Sequence, residues 1–356
     1  MKTITLTLFA LIACINNVFS QAESSAVNSI LWEISGKDLT QKSYLLGTFH
    51  GPGATIGYAY LDTLPKYKEI FESVEAVATE IDSKASLNGI LKGIKDLKEG
   101  KHPVYALMPD SVKCLRDIFE SQEEYLYVDS IMQRIKNENN LFPLNPEKLK
   151  PYYTTGVLGF YEAYLSPRRP KANQKDKGFH MMDFTIESKA KENGKRVFYM
   201  ETYEDLAAAQ EKLDSLFMDT CSLERQSHLL YVVCKNLSRS EEEKDNANTD
   251  DYIRKLEAWY LQGNLSAALR ERDQAIEKKG QSSSGAFDIK QYSEDYLRVG
   301  RNKNWIPVIE KNVHQSSCLI AVGALHLPGE NGLINMLRKE GYTVTPIDPL
   351  TPFRGN

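Results

Sequence analysis

The sequence lacks the features that mark several large classes of protein. Its 44 basic and 48 acidic residues nearly balance over 356 positions, and no basic stripe stands out, so we expect no nucleic-acid partner. No Cys-x-x-Cys pair occurs, which argues against a cysteine zinc site. His-Glu-x-x-His, Gly-x-Ser-x-Gly, P-loop and Gly-x-Gly-x-x-Gly patterns are also missing. Serine, cysteine and nucleotide chemistries therefore have no signature.

Long apolar runs are missing too, except near the N-terminus. Lys2 gives a short positive start, Ile4–Ile15 is largely apolar, and Val18–Ser20 precedes an expected cleavage before Gln21. We therefore predict a signal peptide over residues 1–20 and a periplasmic or secreted protein. The alternative is a lipoprotein, because the residues ending at Cys14 resemble a lipobox. Only that alternative would attach the protein to a membrane.

Cysteines are few, and four remain after the predicted cleavage: Cys114, Cys221, Cys234 and Cys318. An even number in an oxidising compartment permits disulfides. Cys221 and Cys234 are the candidate pair that is closest in sequence. Alternatively, all four are small buried residues, and the pairing stays open.

Two stretches at opposite ends of the chain carry the same short pattern. Near the C-terminus, the apolar run Cys318–Val322 precedes Gly323-Ala324-Leu325-His326, and near the N-terminus Tyr44–Leu46 precedes Gly47-Thr48-Phe49-His50. Each apolar run predicts a buried strand, and each glycine is expected to let the backbone turn tightly. Ligands of α/β sheets gather beyond the carboxyl ends of strands, so both histidines are candidates for a site.

The hydrophobic patterns predict an α/β fold with flanking helices. The first two strands are expected to form a hairpin and the others βαβ units, which makes the sheet mixed and largely parallel. The predicted strands are Ile30–Ser35, Ser43–Leu46, Ala76–Ile81, Arg196–Met200, Cys318–Val322 and Tyr342–Ile347. The predicted helices are Asp62–Ser73, Asn88–Glu99, Ser111–Glu120, Pro146–Leu165, Phe184–Glu192 and Trp305–His314. Two long charged segments, Leu206–Leu237 and Asp250–Lys279, predict a helical insertion at about 205–280 within a domain spanning 25–356.

The histidines and two nearby acids suggest a metal site. Neutral imidazoles bind first-row divalent metals, and carboxylates complete such sites. His50 and His326 are the predicted metal ligands, with Glu201 supplying an oxygen. Glu80 ends the strand Ala76–Ile81, which we expect to pair in parallel with the strand that ends before His50. It is the predicted general base toward a metal-bound water.

Further residues have less specific signals. Arg301 and Asn302 could stabilise an oxyanion, although Asn302 could equally cap the helix expected near Trp305. Asp183 is expected to be a helix N-cap, with a role beside the metal left open. His180, three residues earlier, could reach the metal.

These residues belong to an ordered series of motifs that resembles the TraB/PrgY/GumN family, which includes the Tiki metalloproteases. The motifs run along nearly the whole mature chain: YLLGTFH, ATEID, KLKPYY, MMDFTIESKAKENGKRVFYMET, LEAWYLQGNL, RN and VGALHLPGENGLINMLRKEGYTV. The resemblance implies an α/β fold like that of the erythromycin esterase/ChaN superfamily. By analogy with Tiki it implies a manganese or cobalt peptidase site at Gly47, His50, Glu80, Arg301, Asn302, Gly323 and His326.

From the residues and the resemblance together, we predict an exported hydrolase that depends on a divalent metal (Mn, Co or Zn). Its expected substrate is a peptide or protein. The alternative is a periplasmic protein that binds or sequesters a peptide or haem without catalysis, since ChaN-like relatives bind haem and histidines can ligate its iron.

Overall fold

The structure is a computed structural model. It describes residues 28–50, 55–138, 146–164, 182–238, 248–281 and 293–351. The predicted signal peptide, the alternative lipidation site Cys14 and His180 lie outside the described residues.

One mixed sheet forms the centre of the fold. Its strands in chain order are β1 (Leu31–Ser35), β2 (Ser43–Thr48), β3 (Ala76–Thr79), β4 (Arg196–Tyr199), β5 (Cys318–Gly323) and β6 (Thr343–Ile347). Their spatial order is β4-β3-β5-β2-β1-β6. The first four in this order pair in parallel, whereas β1 is antiparallel to both β2 and β6. The predicted hairpin and the mixed, largely parallel α/β sheet are thus confirmed.

Helices flank the sheet and extend beyond it. They are α1 (Tyr58–Leu61), α2 (Pro65–Ser73), α3 (Ser83–Lys98), α4 (Gln122–Glu138), α5 (Pro151–Tyr164), α6 (Met182–Glu192), α7 (Tyr203–Thr220), α8 (Leu223–Leu237), α9 (Asn248–Leu261), α10 (Leu265–Gln281), α11 (Gly300–Val313) and α12 (Leu333–Lys339). A π-helix, Ser293–Val299, leads directly into α11. None of the described helices is long and apolar enough to cross a membrane.

The helix predicted at Ser111–Glu120 was wrong. Only Leu115–Ile118 is helical there, as a single 3₁₀ turn, because Cys114 is extended and the carboxylate of Glu147 accepts the Leu115 N–H at 2.6 Å. The long helix α4 follows instead, and its helical signal was missed. Its buried residues recur at helical spacing, at Val128, Ile131, Met132 and Ile135.

Among the described residues, the predicted helical insertion comprises two helix pairs that pack into different cores. Helices α7 and α8 are separated at Ser222, whose side chain caps α8, and α8 packs with α4 and α5 around Leu230. Helices α9 and α10 are separated at Gly263, which has a φ of +65°. Tyr260 and Leu265 of this second pair belong to the core that covers the sheet.

The four described cysteines are free thiols, so the candidate disulfide between Cys221 and Cys234 does not form. Cys221 ends α7 and Cys234 lies near the end of α8. At 1.5 Å per helical residue the two are roughly 17 Å apart, far beyond the Cα separation that a disulfide allows. The alternative prediction, that all four cysteines are buried, is confirmed for Cys234 and Cys318 but is wrong for Cys114 and Cys221, which are only partly buried.

Helix α9 is bound tightly to the sheet and to the segment beyond it. The Tyr260 hydroxyl donates to the carbonyl oxygen of Gly47 at 2.9 Å. The buried Glu257 carboxylate accepts hydrogen bonds from the Thr55 hydroxyl and from the backbone N–H groups of Thr55 and Ile56. The helix therefore holds the chain on both sides of His50, which explains part of the motif LEAWYLQGNL.

A pair of glycine substitutions tests this packing. Gly263 has a positive φ, and a Cβ there would lie 2.8 Å from the Ser29 backbone, so we expect Gly263→Ala to destabilise the protein by about 2 kcal/mol or more. Gly156, inside α5, has open space around it, so Gly156→Ala should stabilise by about 0.5–1 kcal/mol. Urea unfolding measures both changes. Shifts in the same direction would contradict the arrangement at Gly263.

Candidate functional site

The two Gly-x-x-His motifs leave the sheet side by side. Strands β2 and β5 are parallel neighbours, and Thr48 pairs with Gly323 in their register. The residues that follow each strand therefore leave the same edge of the sheet. His50 and His326, from opposite ends of the chain, are thereby brought to one place.

The two predicted acids come from the next two strands. Thr79 pairs with Tyr199, and beyond these strands the Glu201 N–H donates to the carbonyl oxygen of Glu80 at 3.1 Å. We expected β2 and β3 to be a parallel pair, but β5 lies between them. Across the sheet, four adjacent strand ends therefore present, in order, Glu201, Glu80, His326 and His50.

Gly323 is the point around which the side chains converge. Its N–H donates to Glu80 Oε1 at 2.7 Å. A Cβ on this residue would lie 3.1 Å from that oxygen, 3.5 Å from the His326 ring and 3.6 Å from the His50 ring. Gly323 has a φ of −49°, a value open to any residue, so a special backbone conformation does not account for this glycine. Glycine is needed here because the carboxylate and both imidazoles approach the backbone closely.

Gly47 plays a similar packing role in the first motif. A Cβ on Gly47 would lie 3.0 Å from Ala324, the residue after Gly323. Neither motif glycine has a positive φ. The pattern therefore reflects two strand ends that pack closely on each other.

Asn302 fixes the orientation of the His326 ring. The Asn302 side chain is fully buried in the first turn of α11, and its Nδ2 donates to the carbonyl oxygens of His326 and Asn331. Its Oδ1 lies 2.7 Å from His326 Nδ1 and must accept a hydrogen bond. His326 thus carries its proton on Nδ1 and keeps a lone pair on Nε2.

The same surroundings keep His326 neutral. Burial, with additional effects from the charges of Arg301 and Arg298, lowers its pKa to about 3 despite the opposing charge of Glu80. A neutral imidazole is the form that binds a metal. The helix predicted to begin near Trp305 begins at Gly300, so Asn302 lies inside it and the alternative role as its cap was wrong.

Asp183 is the partner of His50. Helix α6 begins at Met182, so Asp183 lies in its first turn rather than at the N-cap, and its Oδ2 is 3.2 Å from His50 Nδ1. Burial lowers the pKa of His50, but the hydrogen bond and charge of Asp183, with the charge of Glu80, outweigh this and raise it to about 9. The sequence had left a role for Asp183 beside the metal open, but it gave no indication that His50 is its partner.

Arg301 is shared between the two acids. Its Nη2 donates to Glu80 Oε2 at 2.6 Å, its Nε donates to Glu201 Oε1 at 2.7 Å, and Nη1 lies 3.4 Å from His326 Nε2. Burial raises the pKa of Glu80, but the charges of Arg301 and protonated His50, together with the hydrogen bond from the Gly323 N–H, hold it below its usual range. The pKa of Glu201 is raised by burial, and the charge of Glu80 adds to this. One guanidinium therefore stabilises two adjacent buried carboxylates.

The ring nitrogens and carboxylate oxygens at the site are donor atoms of the types that bind divalent metals. Each histidine has one ring nitrogen committed to an oriented partner, as is usual for histidine ligands, and buried Asp183 Oδ1 has no hydrogen-bond partner in the described structure. Glu80 Oε1 approaches Gly323 at the same point as both rings, whereas Glu201 is linked to His326 through Arg301. The part of the chain that the structure describes contains no ready group of three His, Cys, Asp or Glu side chains, and the oxygens of Glu80 already accept from Gly323 and Arg301.

A cavity of about 260 Å³ opens beside these side chains. Its one wall consists of His50, Glu80, Arg301 and His326, and the opposite wall comes from helices α9 and α10. The helical insertion therefore contributes to the lining of the site.

Comparison with known families supports the resemblance drawn from the motifs. The model of a family described as TraB/PrgY/gumN matches residues 30–346, nearly the whole chain. Searches of curated proteins and of solved structures gave no match.

Removal of Arg301 tests its role between the two carboxylates. Arg301→Met leaves Glu80 and Glu201 buried side by side without a cation, so we expect a loss of about 3–5 kcal/mol in the free energy of unfolding at neutral pH. The double variant Arg301→Met/Glu201→Gln should recover part of this loss, because it removes the like-charge repulsion. Urea unfolding with a chelator present measures both. A double variant less stable than Arg301→Met would contradict the shared pairing.

The raised pKa of His50 predicts a pH dependence in metal-free protein. In the unfolded chain a histidine titrates near 6.5, whereas in the folded protein the pKa of His50 is about 9. Its protonation therefore stabilises the fold fully below about pH 6.5, and this contribution is lost as the pH rises through 9. The difference between wild type and His50→Gln in urea unfolding isolates this effect, because buried thiols titrate equally in both. A difference that does not change between pH 6 and 9 would refute the prediction.

Proposed function

The chain belongs to the TraB/PrgY/gumN family, and from this membership and the geometry of the site we propose that it is an exported metal-dependent hydrolase acting on peptide bonds. The observation that supports the proposal is the convergence of two imidazoles and one carboxylate around Gly323. His50 and His326 would hold the ion through Nε2, and Glu80 would supply an oxygen. When bound, Mn²⁺, Co²⁺ or Zn²⁺ supplies Lewis acidity toward a carbonyl and a water.

The sequence predicted Glu201 as a metal ligand and Glu80 as the general base, but in the structure each carboxylate suits the other role better. Glu80 Oε1 approaches Gly323 at the same point as both rings and stays ionised, which suits a ligand. Glu201 has a raised pKa, and a general base works best when its pKa approaches the working pH. Glu201 would therefore accept the proton, while Arg301 holds it beside Glu80.

Arg301 and Asn302 have different roles in this proposal. Arg301 faces the cavity and can stabilise negative charge that develops on the substrate carbonyl oxygen. Asn302 is fully buried and its amide hydrogens are taken by two carbonyl groups. It is therefore a positioning residue that acts through His326, rather than an oxyanion donor.

A capture protein without catalysis is the second candidate. It is favoured by one observation, that both oxygens of Glu80 are already hydrogen-bonded within the protein. The ligand would then be a peptide more readily than a haem, since the cavity of about 260 Å³ lies below the range of about 300–1,000 Å³ that whole small ligands occupy.

Metal content combined with activity tests the proposal. Protein purified without chelators should contain about one equivalent of metal by elemental analysis, and the His50→Ala/His326→Ala double variant should lose it. Peptide hydrolysis should fall by at least about 100-fold in His326→Ala, because a group that acts on the reacting atoms is lost. The matched control is His102→Ala/His228→Ala, since both residues lie outside the site.

The outcomes separate the candidates. Full peptidase activity in His326→Ala would refute the metallopeptidase. Peptide binding without turnover in metal-loaded protein would support the capture protein instead. A haem absorption band that shifts on binding, and that either histidine substitution abolishes, would favour a haem-binding protein.

A further inference from the structure

The geometry points to a specificity pocket: the cavity beside His326 accepts one uncharged, apolar side chain of the substrate. This inference rests on the proposed function, because it assigns a substrate class to the same site. It is carried by the shape, the lining and the charge balance of the cavity.

The cavity has a chemical wall and an apolar wall. The site side chains form the first, and the second is formed by Phe49, Leu256, Tyr260, Leu265, Ala268 and Leu297. Leu256, Tyr260, Leu265 and Ala268 are each no more than 8% exposed. A substrate side chain that enters the cavity past the site side chains therefore contacts apolar surface supplied by α9 and α10.

The charges that line the cavity are already paired. Arg272 Nη2 and Arg298 Nε both donate to the carboxylate of Glu294, and Arg298 Nη1 also donates to the carbonyl oxygen of Pro328. Arg301 pairs with Glu80 and Glu201, and His50 pairs with Asp183. Among the described residues that line the cavity, each charged side chain already has an ionic partner, so an acidic or basic substrate group would have to compete with that partner; the buried Nε of Arg272 alone lacks a hydrogen bond. Burying such a group there would be unfavourable, so the pocket selects against charge.

The apolar wall is fixed rather than adaptable. Tyr260 is hydrogen-bonded to Gly47, its ring packs on Phe49 with 5.2 Å between ring centroids, and Glu257 holds the segment at Thr55 and Ile56. A preformed apolar pocket discriminates by size, and each methylene group that fits gives a gain in affinity. The volume of about 260 Å³ exceeds that of an apolar cavity of roughly 150 Å³ that holds benzene and lies below the range of about 300–1,000 Å³ for whole ligands, so it suits one apolar side chain, aliphatic or aromatic.

Binding of small probes tests the pocket separately from catalysis. The probes are N-acetyl-L-leucinamide, N-acetylglycinamide and the corresponding L-aspartic acid amide, titrated by ligand-observed NMR against the full protein. We expect the leucine probe to bind at least about tenfold more tightly than the other two. Ala268→Leu places an isobutyl group in the cavity and should weaken the leucine probe by about tenfold. Ala258→Leu, the same change at an exposed position of α9, should leave its affinity within about twofold.

The results distinguish failure of the pocket from failure of the proposed function. A leucine probe that binds no more tightly than the glycine probe, or that is unaffected by Ala268→Leu, overturns the pocket. Leu297→Phe is a second filling variant and gives the same readout if Ala268→Leu does not fold. The predicted binding pattern without hydrolysis of leucine-containing peptides by metal-loaded protein supports the pocket and refutes the peptidase.

Discussion

The parallel pairing of β2 with β5 is the constraint on which the site depends. These strands come from opposite ends of the chain, and their register sets Thr48 beside Gly323. A shift by one residue would turn every side chain beyond the strands to the other face. The two glycines protect that register, because a methyl group at either one would meet a neighbouring strand end or the Glu80 carboxylate.

Electrostatics then decides what the converging groups can do. Two adjacent buried carboxylates would repel each other, and Arg301 offsets this with one charge shared between them. The two histidines have opposite protonation states. The Asp183 carboxylate keeps His50 readily protonated, whereas burial keeps His326, which is hydrogen-bonded to the Asn302 amide oxygen, neutral. The site is therefore asymmetric, although its two sequence motifs look alike.

Much of this arrangement could be predicted from the sequence, and the rest could not for identifiable reasons. Strand ends, the histidine pair and the α/β class follow from local patterns, since apolar runs and Gly-x-x-His are contiguous. The strand order does not follow from local patterns: β2 and β3 were expected to pair, but β5 lies between them. The roles of Asp183, Tyr260 and Glu257 depend on contacts between distant segments. A helix was predicted wrongly at Ser111–Glu120 because a tertiary hydrogen bond, donated by the Leu115 N–H to Glu147, outweighed the weak helical preference of this segment.

The separation of the two histidines along the chain has a consequence for how the protein matures. His50 belongs to the first strands to leave the ribosome and His326 to nearly the last, so their contact is of the long-range kind that forms late and slowly in folding. A nascent, truncated or misfolded chain would carry one half of the site and lack the other. Any activity of the candidate site would thereby depend on completion of the fold, without a separate inhibitory segment to keep an unfinished chain inert.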